Sequence, residues 1–239
     1  MWWLIDAAGS PGRRLQDVPI FLQNATLSEY MEHDTAMPAD THSQHVPDLA
    51  RQKGLLRASD LDAIDVPRVI LTRLTAAGLL DRVGRGLYRL PGHPASEHEG
   101  LVVVAAKVPQ AVFCLLTSLQ FHGLTTQLPR HVWIAMPRGS HAPRMDWPPI
   151  RMVQMTGDAH ATGIEEHLRD GVTLRVYSVA KTVVDCFKHR NKIGLDVAME
   201  ALKDARRTRK ASADDLWRYA KVCRVANVML PYMEVVAHE

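Results

Sequence analysis

From residue 46 onward, apolar positions recur with regular spacing, whereas residues 1–42 keep neither a helical nor a strand period. Val46, Leu49 and Ala50 share one face of a short helix predicted over Val46–Gln52, and Gly54 ends it. A second short helix is expected from Ser59, as N-cap, with Leu61 and Ile64 inside. Asp65-Val66-Pro67 opens a third, with proline in the first turn, where its missing N–H costs nothing. Ile70, Leu71, Leu74 and Ala77 point inward there, leaving Arg68, Thr72, Arg73 and Thr75 outside. Gly78 stops this helix. Leu79–Val83 and Leu87–Leu90 follow as strands around Gly84-Arg85-Gly86, whose glycines suit the positive φ angles of a hairpin. Three short helices and a hairpin make a winged helix-turn-helix over residues 43–92.

Residues 96–239 read as a larger domain. A helix over Glu97–Lys107 places Leu101, Val104 and Ala105 inward. Ala111–Leu116 suits a buried strand, and Thr117 or Ser118 then caps a short helix carrying Leu119, Phe121 and His122. His131–Met136, Ile150–Met155 and Leu174–Tyr177 are strand candidates separated by Pro/Gly-rich turns. From Ser178 the pattern is helical: Val179, Val183, Val184 and Phe187, then Leu195, Ala198, Met199, Leu202 and Ala205. A last helix carries Leu216, Tyr219, Ala220 and Cys223, entered through a capping box at Ser212–Asp215. Strands first and helices after indicate an α+β fold with a helical C-terminal part.

Charge changes this picture by being unevenly spread. The chain of 239 residues carries a net charge of only +3. Residues 1–47 hold two arginines against six acids, a net of −4, and are interrupted by five prolines and glycines from Pro11 to Pro47. No apolar stretch follows Arg13-Arg14, so residues 1–42 are read as a weakly ordered leader and not a targeting peptide. Met31 and Met37 both precede the first organised segment and offer alternative starts. Residues 48–90 carry a net of +3 and residues 181–224 a net of +6, which favours an anionic partner if these side chains are not merely solvated.

On the winged helix, Arg68, Thr72 and Arg73 stand on the outer face of the third helix, where they could reach base edges or phosphates. Arg82, Arg85 and Arg89 on the hairpin are counted with them as DNA-binding residues. Arg89 shares a strand face with Leu87 while Tyr88 takes the other, so the three arginines cannot all point one way, and Arg85 at the tip is the best phosphate contact. A winged helix used only for protein contact remains the alternative.

Catalytic signals are weak. Ser178-Val179-Ala180-Lys181 has the S-x-x-K form of a serine nucleophile motif, but no S-D-N or K-T-G follows, and Ser178 is more simply an N-cap. His160/His167 and His93/His98 come with no third ligand at zincin spacing. The paired carboxylates of a nuclease or nucleotidyltransferase are not arranged anywhere. No enzyme activity, cofactor or metal is therefore expected. Cys114, Cys186 and Cys223 form no C-x-x-C pair, which suits a reducing cytosol, and the longest apolar run, Leu101–Ala106, is too short to span a membrane.

Three stretches carry a resemblance. They are Gly84-Arg85-Gly86-Leu87-Tyr88-Arg89-Leu90-Pro91-Gly92, then Leu119-Gln120-Phe121-His122-Gly123-Leu124-Thr125 with Pro129–Ala135, and finally the run from Tyr177 to Asp196. The last, with Thr182-Val183-Val184-Asp185-Cys186-Phe187-Lys188, is the most specific. Over about residues 45–237 the chain resembles the AbiEi family, the antitoxins of bacterial type IV toxin–antitoxin (abortive infection) systems. The resemblance implies a winged helix that represses its own operon at promoter repeats, with Arg68, Thr72, Arg73 and Arg85 reading DNA. It also implies a C-terminal domain that counteracts a nucleotidyltransferase toxin, with or without direct contact. Lys181, Asp185, Lys188, Arg190, Lys192 and Asp196 mark the antitoxin-domain motif. The chain departs from the family at Ala180-Lys181, where an acid or arginine commonly precedes the threonine, and Asp185 could equally be an ion-pair partner of Lys188 or Arg190. A stand-alone regulator whose second domain senses a ligand is the rival reading.

Overall fold

The computed structural model describes residues 41–93 and 96–237. The leader assigned to residues 1–42 therefore lies outside the described residues, except for Thr41 and His42, which are helical. Helix α1 (Thr41–Lys53) runs through Pro47 without ending, because the fully buried Val46 and Ala50 hold the turns around it in the core. After strand β1 (Leu56–Arg57), residues Ala58–Ile64 form a 3-10 helix, not the α-helix expected from Ser59. Its N-terminus is fixed by Arg57, whose backbone N–H donates to the Asp60 carboxylate at 2.8 Å. Asp65 then turns the chain with a left-handed φ of 53°, so that Val66 enters the core and Ile64 does not.

Helix α2 (Val69–Ala76) buries Ile70, Leu71 and Leu74 as expected. Ala77 lies beyond its last turn and is exposed, the core position being taken by Leu80. Strands β2 (Asp81–Gly84) and β3 (Leu87–Arg89) form the hairpin, and β1 completes a three-stranded sheet of order β1-β3-β2. Of the two hairpin glycines only Gly86 has a positive φ, 72°. The three helices and this sheet enclose one cluster of buried aliphatic residues that includes Val46, Leu56, Leu61, Leu71 and Leu80. The winged helix-turn-helix is present.

Helix α3 (Glu99–Lys107) leads to β4 (Val112–Phe113), a strand shorter than predicted. Leu115 and Leu116 belong to α4 (Leu115–Phe121), inside which Thr117 and Ser118 are buried and do not cap. Both hydroxyls are satisfied: Trp133 N–H donates to Thr117 Oγ1 at 2.8 Å, and Ser118 Oγ lies 2.7 Å from Thr182 Oγ1. Strands β5 (Val132–Pro137), β6 (Ile150–Met155), β7 (Ile164–Arg169) and β8 (Val172–Tyr177) complete a sheet of order β6-β5-β4-β8-β7. The pairs β5/β6 and β4/β8 are parallel, and β4/β5 and β7/β8 antiparallel. The short helix α5 (Asp158–Ala161) joins β6 to β7. Strand β7 was not expected, because an edge strand reading Ile-Glu-Glu-His-Leu-Arg buries little and shows no alternation. Its turn into β8, Asp170 and Gly171 at φ 47° and 70°, has the mirror-image twist that two-residue hairpins need.

The C-terminal part is helical: α6 (Val179–Lys188), α7 (Arg190–Ile193), α8 (Leu195–Arg207), α9 (Ala213–Val222) and α10 (Ala226–Ala237). Ser178 and Ser212 cap α6 and α9, accepting the N–H of Lys181 at 3.4 Å and of Asp215 at 3.0 Å. Alternate residues of the large sheet feed two cores. Val112, Ala135 and Tyr177 face the helical bundle, whereas Phe113, Ile134 and Val176 face α3.

The second of these cores crosses the expected domain boundary. Leu55 and Leu87 of the winged helix are buried in it beside Val102, Val103 and Leu174. That explains why four consecutive residues of α3, Val102–Ala105, are buried where one face was expected: the helix is covered by the sheet on one side and the wing on the other. A Cβ added at Gly84 would already lie 3.5 Å from Val103 Cγ1. Two polar links reinforce the seam, Arg89 to Glu99 at 2.7 Å and Arg57 to the carbonyl of Gly171. Residues 45–239 accordingly form one compact unit.

Candidate nucleic-acid interface

The helix-turn-helix core consumes one side of α2 and leaves Arg68, Val69, Thr72 and Arg73 exposed on the other. Their offsets of one and four residues place them on one continuous helical face. The first turn of α2 holds no acidic residue, so nothing on the helix itself offsets the partial positive charge of its N-terminus. Arg68 stands just before the helix and is not free: its Nη2 and Nε donate to the two carboxylate oxygens of Asp62, at 2.6 and 3.2 Å. This is a bidentate pair between two exposed side chains, and it holds the Asp62 carboxyl below the usual carboxylate range.

The hairpin divides its three arginines as strand parity required. Arg85 at the tip and Arg82 on β2 are exposed, Arg82 Nε lying 3.3 Å from its own Gly84 carbonyl. Arg89 departs from the DNA-reading group. It lies on the face shared with Leu87, is half-buried, and is held by Glu99 of α3. Its role in the free protein is to join wing and body. The sequence could not show this, because Glu99 belongs to the neighbouring domain. Asp62 and Val69 were missed for a simpler reason: Asp62 entered only the net charge of residues 48–90, and Val69 was not singled out at all.

The antitoxin motif also splits. Lys181 and Asp185 are completely buried and form an ion pair at 2.5 Å. The Lys181 ammonium lies 4.0 Å from the centre of the Tyr177 ring, and Cys223 Sγ approaches the other Asp185 oxygen at 3.5 Å. Burial raises the Asp185 carboxyl above its ordinary value, against the pull of Lys181. Gly163 closes the site: a Cβ there would lie 2.9 Å from Lys181 Cβ and 3.1 Å from the Tyr219 ring. The partner of Asp185 is therefore Lys181, not Lys188 or Arg190, and neither motif residue can touch another molecule without unfolding the bundle. Arg190 Nη1 instead donates to the Phe187 carbonyl at 3.0 Å. Lys188 is half-buried, while Lys192 and Asp196 are exposed around the α6–α7–α8 corner.

The basic excess of residues 181–224 is partly spent internally as well. Besides Lys181, Arg207 pairs with Asp204 and Arg218 with Asp215, both at 2.8 Å, and Lys210 donates to the His122 carbonyl at 2.5 Å. The S-x-x-K motif is not a nucleophile with its base, since Lys181 Nζ is aimed at Asp185 and Ser178 caps α6. All three cysteines are buried and free, and burial pushes their thiols up, away from the reactive thiolate. Among the described residues no three His, Cys, Asp or Glu side chains are grouped to hold a metal ion, and no helix is long and apolar enough to cross a membrane.

His189, at the end of α6, has a testable consequence. Burial, with Lys192 and Lys188 nearby, lowers its pKa from 6.5 to about 4. The folded protein keeps this ring neutral where the unfolded chain would protonate it, so its contribution is complete above about pH 6.5 and is lost as pH falls toward 4. The midpoint of urea unfolding is expected to fall over that window, and His189→Asn to flatten the fall. An unchanged pH profile in the variant would exclude the assignment.

Residues 44–91 match the family model described as transcriptional regulator, AbiEi antitoxin. The match spans α1 through β3 and ends before α3, so the motif of residues 177–196 lies outside it. No curated protein matches the chain. Over those residues the winged helix built around α2 is similar to the AbiEi antitoxin family of transcriptional regulators.

Proposed function

We propose that this protein represses its own promoter in the cytoplasm by laying α2 in the major groove of repeated sites, with the hairpin tip against the adjacent backbone. In this reading the second domain counteracts a nucleotidyltransferase toxin encoded beside it. The observation that carries the DNA assignment is the exposure of Arg68, Thr72 and Arg73 on one face of a short helix, with Arg85 free at the wing tip. A helix face of this kind is narrow enough to reach base edges, whereas a Gly-flanked loop reaches phosphates. Arg82 extends the same backbone contact. Any toxin contact through the motif falls to Lys188, Arg190, Lys192 and Asp196, because Lys181 and Asp185 are internal.

The test is a set of binding titrations of the full chain with its upstream DNA and with scrambled duplex, at two salt concentrations. Arg73→Ala should lose preference for upstream over scrambled DNA by an amount worth about 1–3 kcal/mol. Arg85→Ala should weaken both duplexes alike and lower the slope of log affinity against log salt by about one. Unchanged binding in both variants would return the winged helix to protein contact alone.

One feature favours the rival reading of a ligand-sensing regulator. An open cavity of about 490 Å³ is lined by Lys203, Asp204, Arg206, Arg207 and Val236, and its basic wall suits a small anion. Co-expression of the full chain with the product of the neighbouring gene separates the two readings: rescue of growth from a nucleotidyltransferase supports the antitoxin.

A further inference from the structure

We propose that Arg68 reads a guanine and that Asp62 is the positioning residue that presents it. The proposal rests on the docking of α2 described above. Asp62, on the 3-10 helix, takes the Nε–H and one Nη2–H of Arg68, at 3.2 and 2.6 Å. A guanidinium has five N–H donors in a fixed plane, so a carboxylate on this edge leaves the opposite edge, one N–H each from Nη1 and Nη2, as a parallel fork. Guanine alone among the bases offers two adjacent major-groove acceptors, O6 and N7, to such a fork. Adenine sets a donor beside its N7, thymine has a single acceptor, and cytosine presents only a donor.

Two further observations favour a base over a phosphate. The pair is solvent-exposed on both sides, 61% for Arg68 and 56% for Asp62, where an ion pair adds little stability. A carboxylate 2.6 Å from the guanidinium also cancels the charge that a phosphate would seek and repels the phosphate itself. The pair is suited to a neutral hydrogen-bonding edge, not to the polyanionic backbone. The next residue, Val69, is 54% exposed on the same face, an apolar side chain presented to solvent. It suits the methyl group of a thymine beside the guanine.

The experiment selects binding sites for the full wild-type chain from a random 20-base-pair duplex pool, then tests single-base changes in the enriched sequence. One guanine is expected whose replacement by adenine or by 7-deazaguanine, which lacks N7, weakens wild-type binding about ten- to a hundred-fold. Arg68→Ala should be indifferent to the same replacements. Asp62→Ala should bind scrambled duplex more tightly, with a slope steeper by about one, and should lose most of its guanine preference. Both variants should melt with the wild type, since the pair is exposed. Arg68→Ala that retains every base preference, or Asp62→Ala with preference and slope unchanged, overturns the proposal while leaving the docking of α2 intact. A wild-type chain that enriches no sequence overturns both.

Discussion

Alanine in place of Asp185 is expected to destabilise the protein by about 3–5 kcal/mol, the cost of leaving a buried charge without its partner. At about 2–4 °C per kcal/mol for a unit of this size, the melting temperature should fall by roughly 6–20 °C. The expectation follows from complete burial of both Lys181 and Asp185 and from the poverty of alternatives around the ammonium. The Tyr177 ring face lies beside it, at 4.0 Å, and offers no second counter-charge. Replacing both partners should behave differently. The double variant Lys181→Met/Asp185→Leu removes the desolvation cost with the charges, and such exchanges are often neutral or stabilising by about 1–4 kcal/mol. Thermal or urea unfolding of the two variants makes the comparison. A double variant as unstable as Asp185→Ala would show that the bundle needs the ion pair itself and not just charge balance.

The second large effect concerns the seam between wing and body. The full chain should unfold from residue 45 onward in one calorimetric transition, with calorimetric and van't Hoff enthalpies in agreement. Leu87→Ala should move that whole transition, at a cost of about 2–5 kcal/mol, because Leu87 is 4% exposed and packs in the core that contains Val103 and Val176. A fragment of residues 96–239 would lay that core open and should aggregate. Two resolved transitions, with Leu87→Ala lowering only one of them, would mean that the winged helix folds by itself and that the shared core carries little energy.

The helix-turn-helix was legible because its evidence is local: amphipathic spacing in Ile70, Leu71 and Leu74, glycine punctuation, and a tight hairpin. Strand parity showed that the three hairpin arginines cannot share one face, yet Arg89 was still counted with the DNA-binding residues. Elements whose order comes from elsewhere in the chain were not legible. Strand β1 has two residues and exists because β3 pairs with it, while β4 was expected as a strand but is cut to the two residues that β5 and β8 pair. Strand β7 is an edge with polar sides. The site residues followed the same division. Exposure of Arg68, Thr72 and Arg73 follows from the period of their own helix, but the engagement of Arg89 depends on Glu99, ten residues on. Lys181 and Asp185, four apart on a helix, have the spacing of an ordinary surface pair. Only the packing of α8 and α9 over α6 encloses them, and a single sequence does not record that packing.

The seam bears on how such a chain can be recombined. The stretch that matches the family model, residues 44–91, stops two residues past the end of the wing, yet Leu55 and Leu87 are covered by α3, which begins only at Glu99. The matched segment and the segment that can stand in water are therefore different lengths. Grafted onto another protein at Pro91, the module would arrive with an uncovered apolar wall and an unanswered Arg89. A transplant that works has to bring α3 along or supply a helix with valines at the same two positions and an acid one turn before them. The same dependence ties the two halves together: a change at Val103 is felt in the wing, so wing and body are free to vary only in step.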